Sequence, residues 1–104
     1  MNEDLIFKAL ADPTRRTIFE RLAASSQNAS ELREGLEISQ PAMSQHLSVL
    51  RSAGLVREQR RGRYVDYEVD PQGIAGIGAW FARYKAYWPA RIDDLKTVLG
   101  EMDQ

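Results

Sequence analysis

The chain has 104 residues, 43% hydrophobic and 28% charged, with no cysteine, one histidine, and 14 basic against 15 acidic side chains. That length suits one domain, and the composition is that of a globular protein, not a disordered or fibrous one. The missing cysteines exclude disulfides, thiolate metal sites, thiol switches and a cysteine nucleophile, and the net charge of −1 gives no global attraction to nucleic acid.

The first helix is expected over Glu3 to Ala11, with Leu5, Ile6, Ala9 and Leu10 at helical spacing. Met1 to Asp4 are polar and acidic, unlike a signal peptide, and no apolar run approaches a membrane span, so the expected location is the cytoplasm, away from any membrane. Asp12-Pro13 reads as an N-cap followed by proline at the first helical position, where the missing N–H costs nothing. The second helix follows to about Ala24, burying Ile18, Phe19 and Leu22, and the polar run Ser25 to Asn28 ends it in a surface turn.

A third helix is expected from Ala29 to Leu36, with Leu32 and Leu36 on one face, and Glu37-Ile38 as a tight connector. Ser39 then caps a fourth helix, Pro41 is tolerated in its first turn, and Gly54 supplies the left-handed residue that stops it. Met43, Leu47 and Leu50 form its buried stripe. Its opposite face carries Pro41, Ser44, Gln45, Ser48 and Ser52, small and polar, as a helix that approaches base edges requires.

Two strands are expected next, Leu55 to Gln59 and Tyr64 to Val69, joined by an arginine-rich turn at Arg60 to Arg63 in which Gly62 permits the reversal. The stretch from Arg57 to Arg63 holds four arginines against one acid, a local basic patch on a near-neutral body. Val65, Tyr67 and Val69 alternate with Tyr64, Asp66 and Glu68, the pattern of a half-buried strand. Asp70-Pro71 opens a long last helix in which Ile74, Ile77, Phe81, Tyr84, Trp88, Ile92, Leu95, Leu99 and Met102 recur at spacings of three and four, flanked by Trp80, Tyr87 and Val98. Pro89 interrupts this stripe without changing its phase, which predicts a kink. So wide an aromatic stripe would leave much apolar surface wet in a monomer, so a second copy is the expected partner. The acids of the tail, Asp93, Asp94, Glu101 and Asp103, would face away from the basic patch.

Two short helices, a turn, a capped polar-faced helix and a basic hairpin make a winged helix-turn-helix: a mainly α fold with a small β-hairpin, whose long C-terminal helix forms a dimer interface. The expected partner is double-stranded DNA, with the fourth helix in the major groove and the hairpin, or wing, on phosphates or in the neighbouring minor groove. A two-fold dimer would place two such helices on successive turns of a near-palindromic operator. The expected divisions are one DNA-binding domain over residues 1–104, the helix-turn-helix over about 29–53, the wing over about 55–69, and dimerisation helices over about 3–11 and 71–102.

Three blocks also carry a family resemblance: Ala9 to Arg16 (ALADPTRR), Ser39 to Leu47 (SQPAMSQHL) and Leu50 to Val56 (LRSAGLV). In this order the chain resembles the ArsR/SmtB-type bacterial transcriptional repressors. The resemblance implies a dimeric winged helix joined through its first and last helices, which adds Leu5 and Ile6 to Ile77, Phe81, Tyr84, Trp88, Ile92, Leu95 and Leu99 as expected interface residues. Two positions depart from the family pattern: Glu37, where a turn glycine is common, and Arg33, where a small residue is usual. The family's metal-responsive members use cysteines in the third helix, or paired histidines and carboxylates across the last helices. Neither set occurs in this chain, so the resemblance implies a repressor without metal sensing, with no cofactor, and names no effector.

The expected DNA contacts are Ser39, Gln40, Pro41, Ser44, Gln45, His46 and Ser48 on the fourth helix and Arg60, Arg61, Gly62 and Arg63 on the wing. Arg15 and Arg16 are added at the start of the second helix, although surface ion pairing explains them equally well. A polar helix face or an arginine run is usually only solvated, and it is their combination with cap, turn and hairpin that favours DNA. His46 is a single imidazole beside the buried stripe, which suits packing or a phosphate better than a metal. The aromatics of the last helix more often serve core and dimer packing than a ligand pocket. An alternative assignment is an interaction or small-molecule-responsive module that uses this aromatic helix, with DNA secondary. An enzyme is the weakest assignment, because the chain has no glycine-rich phosphate loop, no cysteine, and no second histidine to orient a base.

Overall fold

The computed structural model describes residues 3 to 85. Helix α1 runs over Glu3–Ala11 and α2 over Pro13–Ala24, separated only by Asp12, whose carboxylate accepts the backbone N–H of Arg15 at 3.1 Å. That cap and Pro13 start the second helix where the sequence predicts it. Strand β1 (Gln27–Asn28), α3 (Ala29–Leu32), α4 (Gln40–Ser52), β2 (Val56–Arg61), β3 (Tyr64–Val69) and α5 (Pro71–Tyr84) follow. The chain is mainly helical, with a small antiparallel sheet of order β1-β3-β2.

The expected turn over Ser25 to Asn28 is in part a strand. Gln27 pairs with Tyr67 and Asn28 with Asp66, which makes β3 the central strand of the sheet. Asn28 also caps α3: its side chain accepts from Glu31 N–H at 2.8 Å while the Glu31 carboxylate accepts from Asn28 N–H at 3.0 Å. The third helix is shorter than expected. It ends at Leu32 because Gly35, at φ +78°, turns the chain through the left-handed region. The Arg21 guanidinium, reaching from α2, donates to the carbonyls of Leu32 (2.9 Å) and Glu34 (2.6 Å) and so satisfies groups the helix end leaves open. Arg33, one of the two departures from the family pattern, spans the turn to the Ile38 carbonyl at 3.4 Å.

Ser39 caps α4 through the N–H of Ala42 at 3.2 Å. At the other end Leu55 N–H bonds to Leu50 carbonyl across Gly54, at φ +77°, which is the six-to-one closure of a Schellman motif. The core gathers Ile6, Ala9, Ile18, Leu22, Leu32, Met43, Leu47, Leu50 and Leu55. Burying a side chain such as Leu50 contributes roughly 1.5–3 kcal/mol. Phe19, expected in the core, packs against it half-buried.

The hairpin loop is Gly62-Arg63, with Gly62 at φ +63°, so β2 extends beyond the expected Gln59 to Arg61. The alternation expected for β3 is also revised. Val65, Tyr67 and Val69 are only half-buried, and the most enclosed residue of the strand is Asp66. Helix α5 starts at the Asp70 cap, is tied to the hairpin base by Asp70 N–H to Leu55 carbonyl (2.8 Å), and lies against α1. Trp80 packs edge-on to Phe7, with centroids 5.0 Å apart, and Arg83 pairs with Glu3. The second half of the expected last helix, with Pro89, Trp88, Ile92, Leu95 and Leu99, lies outside the described residues.

Candidate nucleic-acid interface

Helix α4 has two unlike faces. Met43, Leu47 and Leu50 are enclosed in the core, which fixes the roll of the helix and turns Gln40, Pro41, Ser44, Gln45 and Ser48 to the surface. The capping residue Ser39 is exposed as well. No residue of α4 is acidic, so nothing on this face repels a polyanion. These side chains are short donors and acceptors, able to pair with base edges or phosphate oxygens.

His46 sits at the margin, half-buried. Its Nδ1 lies 3.4 Å from Nη1 of Arg15, a donor facing a ring nitrogen that accepts when it carries no proton. Arg15 itself is held by two carbonyls at the end of α1: Nε donates to Ala9 at 2.7 Å and Nη2 to Lys8 at 3.3 Å. The two predicted basic residues therefore separate. Arg15 is a structural clamp beside the α4 surface, lining a shallow hollow with Gln45, His46, Ser48 and Val49, while Arg16 is exposed. The Arg15 N–H that caps α2 also holds the Asp12 carboxyl below its ordinary value, with the Arg15 charge adding to the effect.

On the hairpin, Arg60, Arg61, Gly62 and Arg63 are all exposed, but the arginines are not equivalent. Arg61 is paired with the buried Asp66 at 2.6 Å. Arg60 and Arg63 have no ion pair among the described residues, so they are the free cations of the wing tip. Further back, Arg57 bonds Glu68 directly across the strands at 2.7 Å, and Arg51 of α4 bonds Glu58 of β2 at 2.8 Å. Beside that pair the Tyr67 hydroxyl is pushed above its ordinary value, by burial first and by the Glu58 charge second. Sequence reasoning did not single out Arg51 as a surface residue of this region. Its spacing of three from Ser48 was the available signal.

The expected interface residues also divide. Leu5, Phe81 and Tyr84 are exposed, as are Phe7 and Ile74, so α1 and α5 both carry exposed apolar side chains. Ile6, in contrast, is 1% exposed within its own chain and has no surface to give a partner, which corrects its assignment to the interface. Ile77 is half-buried against the core.

Comparison with known proteins agrees with this architecture. A helix-turn-helix domain family matches residues 10–59. The HTH-type transcriptional regulator Rv2034 of Mycobacterium tuberculosis is 46% identical over 74 residues, 71% of this chain and 69% of its own length. The transcriptional repressor SdpR of Bacillus subtilis is 35% identical over 79 residues, 76% of this chain and 88% of its own length. Among solved structures, an ArsR-like transcriptional regulator from Rhodococcus superposes with a TM-score of 0.72 at 30% identity, covering 91% of this chain and 90% of that one. The chain belongs to the ArsR family of helix-turn-helix transcriptional regulators. An ArsR-type regulator binds DNA, and the family is one of transcriptional regulators and not of enzymes. The matched residues 10–59 take in α2, α3 and α4 and reach into β2. Among the described residues of this ArsR-type chain, no helix is long and apolar enough to cross a membrane.

Proposed function

We propose that the protein is a homodimeric, cytoplasmic, non-enzymatic repressor that occupies a near-palindromic operator and blocks transcription without sensing a metal, its own promoter being one candidate target. The observation that carries this reading is the uniformly exposed, acid-free face of α4, backed by a fully buried apolar stripe. Ser39, Gln40, Pro41, Ser44, Gln45 and Ser48 form its reading surface, Arg60 and Arg63 its phosphate contacts on the wing with Gly62 between them, and Arg16 an outlying backbone contact. Arg61, Arg15 and His46 contribute by bracing these elements. In this reading one domain carries both functions, DNA contact through the helix-turn-helix and wing and dimerisation through α1 and α5.

Dimerisation through Leu5, Phe81 and Tyr84 is supported by the exposed apolar surface of α1 and α5, which a soluble monomer would leave wet. The chain's lack of cysteine and its single histidine support a regulator that does not use thiolate or paired-imidazole metal sites. Sedimentation of the purified protein, together with selection of bound fragments from genomic DNA, tests the reading. A dimer that recovers inverted half-sites about one helical turn apart is expected. A monomer, or recovered fragments without a shared site, would overturn it.

A further inference from the structure

Between the C-terminal half of α4 and the first strand of the wing lies an open cleft of about 480 Å³, lined by Ser48, Arg51, Ser52, Val56, Arg57 and Glu58. Ser48 also lines the hollow beside Gln45 and His46, so the cleft is continuous with the reading surface. We propose that this cleft seats the sugar-phosphate backbone strand of bound DNA, with Arg51 and Arg57 contacting its phosphates and the Ser48 and Ser52 hydroxyls adding hydrogen bonds.

The proposal rests on the DNA-binding reading above and follows from its geometry. A helix in the major groove and a wing in the neighbouring minor groove lie on either side of one phosphodiester strand, which must pass through the space between them. In this chain that space is bordered by two guanidinium groups. Each is in an ion pair, yet the pairs leave the cations outermost: the side chains of Arg51 and Arg57 are 48% and 53% exposed, those of Glu58 and Glu68 30% and 25%. Arg57 spends only Nε on Glu68 and Arg51 only one terminal nitrogen on Glu58, so each keeps N–H donors for a second anion. Each carboxylate holds its guanidinium fork in place, Glu58 from the cleft wall itself, so less side-chain freedom is lost on binding.

Affinity is measured against salt concentration for two probes, a duplex recovered by selection and a random-sequence duplex. Arg57→Gln is expected to reduce the slope of log K against log salt by about 0.9 and to weaken both duplexes roughly tenfold. Ser52→Glu, which places a carboxylate in the cleft from an exposed site, is expected to weaken both as well. Melting curves report whether each variant is folded. If Arg57→Gln melts early through loss of the Glu68 pair, Ser52→Glu decides alone. Folded variants that bind both duplexes with wild-type affinity and slope would overturn the cleft and leave the repressor reading intact. Wild-type protein that binds neither duplex at low salt would overturn both.

Discussion

Arg61 and Asp66 meet across a diagonal of the hairpin, Nη2 to Oδ2 at 2.6 Å, although the Arg61 side chain is 75% exposed and that of Asp66 only 8%. An enclosed carboxylate needs a partner, and this arginine is its partner, so Arg61 is a brace for the wing before it is a cation for DNA. Arg61→Ala is expected to destabilise the fold by about 1–2 kcal/mol, less than a fully buried pair because the arginine is mostly solvated. Asp66→Asn in that background should restore much of the loss. Denaturant midpoints of the two single variants and the double variant check this, and additive effects would contradict it.

Reading and anchoring are expected to separate on substitution. Gln45→Ala should narrow the difference between operator and random DNA by about 1–3 kcal/mol, the worth of one paired base contact. Arg63→Ala should weaken all duplexes alike and lower the salt slope by about one. Binding isotherms on both duplexes at several salt concentrations distinguish them. Equal effects of the two changes on operator and random DNA would refute the division.

Gly73 is buried where α5 crosses the end of α4. A methyl group there would stand 2.5 Å from the Gly54 carbonyl oxygen and 2.9 Å from the Leu55 Cα, both backbone atoms that cannot rotate away. Gly73→Ala is therefore expected to cost about 1–3 kcal/mol despite alanine's better helix propensity, as overpacking does. Gly78→Ala, on the same helix with nothing within 4 Å, should be neutral or stabilising. Thermal melts of the pair provide the comparison.

Asp12 predicts an acid response. Its carboxyl is held below the ordinary value of 3.8, chiefly by the Arg15 N–H, so the charged cap favours the folded state. A lowered folded value means a contribution that is present above pH 3.8 and lost as pH falls from there through the folded value. Asp12→Asn keeps an acceptor oxygen without titrating. The wild type's advantage over this variant in urea should be seen at neutral pH, shrink as pH falls below 3.8, and vanish only once the lower folded value is passed. An advantage that does not change with pH would exclude the titration.

Much of the site was legible because its signals are local. The caps Asp12, Ser39 and Asp70, the glycines Gly54 and Gly62, and the stripe Met43, Leu47 and Leu50 each act within one or two helical turns. They fixed the starts of α2, α4 and α5, the stop and roll of α4, and the hairpin reversal before any tertiary contact was considered. The identity of the exposed face, and with it the choice of DNA as partner, came from these residues.

Contacts distant in sequence were decided only by the folded chain. The strand Gln27–Asn28 is too short to leave a periodic signal, yet its pairing makes β3 central and accompanies the enclosure of Asp66 on a strand whose alternation pointed to Val65, Tyr67 and Val69. Gly35 ended α3 early with help from Arg21, eleven residues before Leu32. The same distance separates sequence from outcome for Arg15, drawn to the carbonyls of α1, and Arg61, drawn to Asp66. A charged side chain goes to whichever unsatisfied group the fold brings within reach, and local sequence does not show which that is.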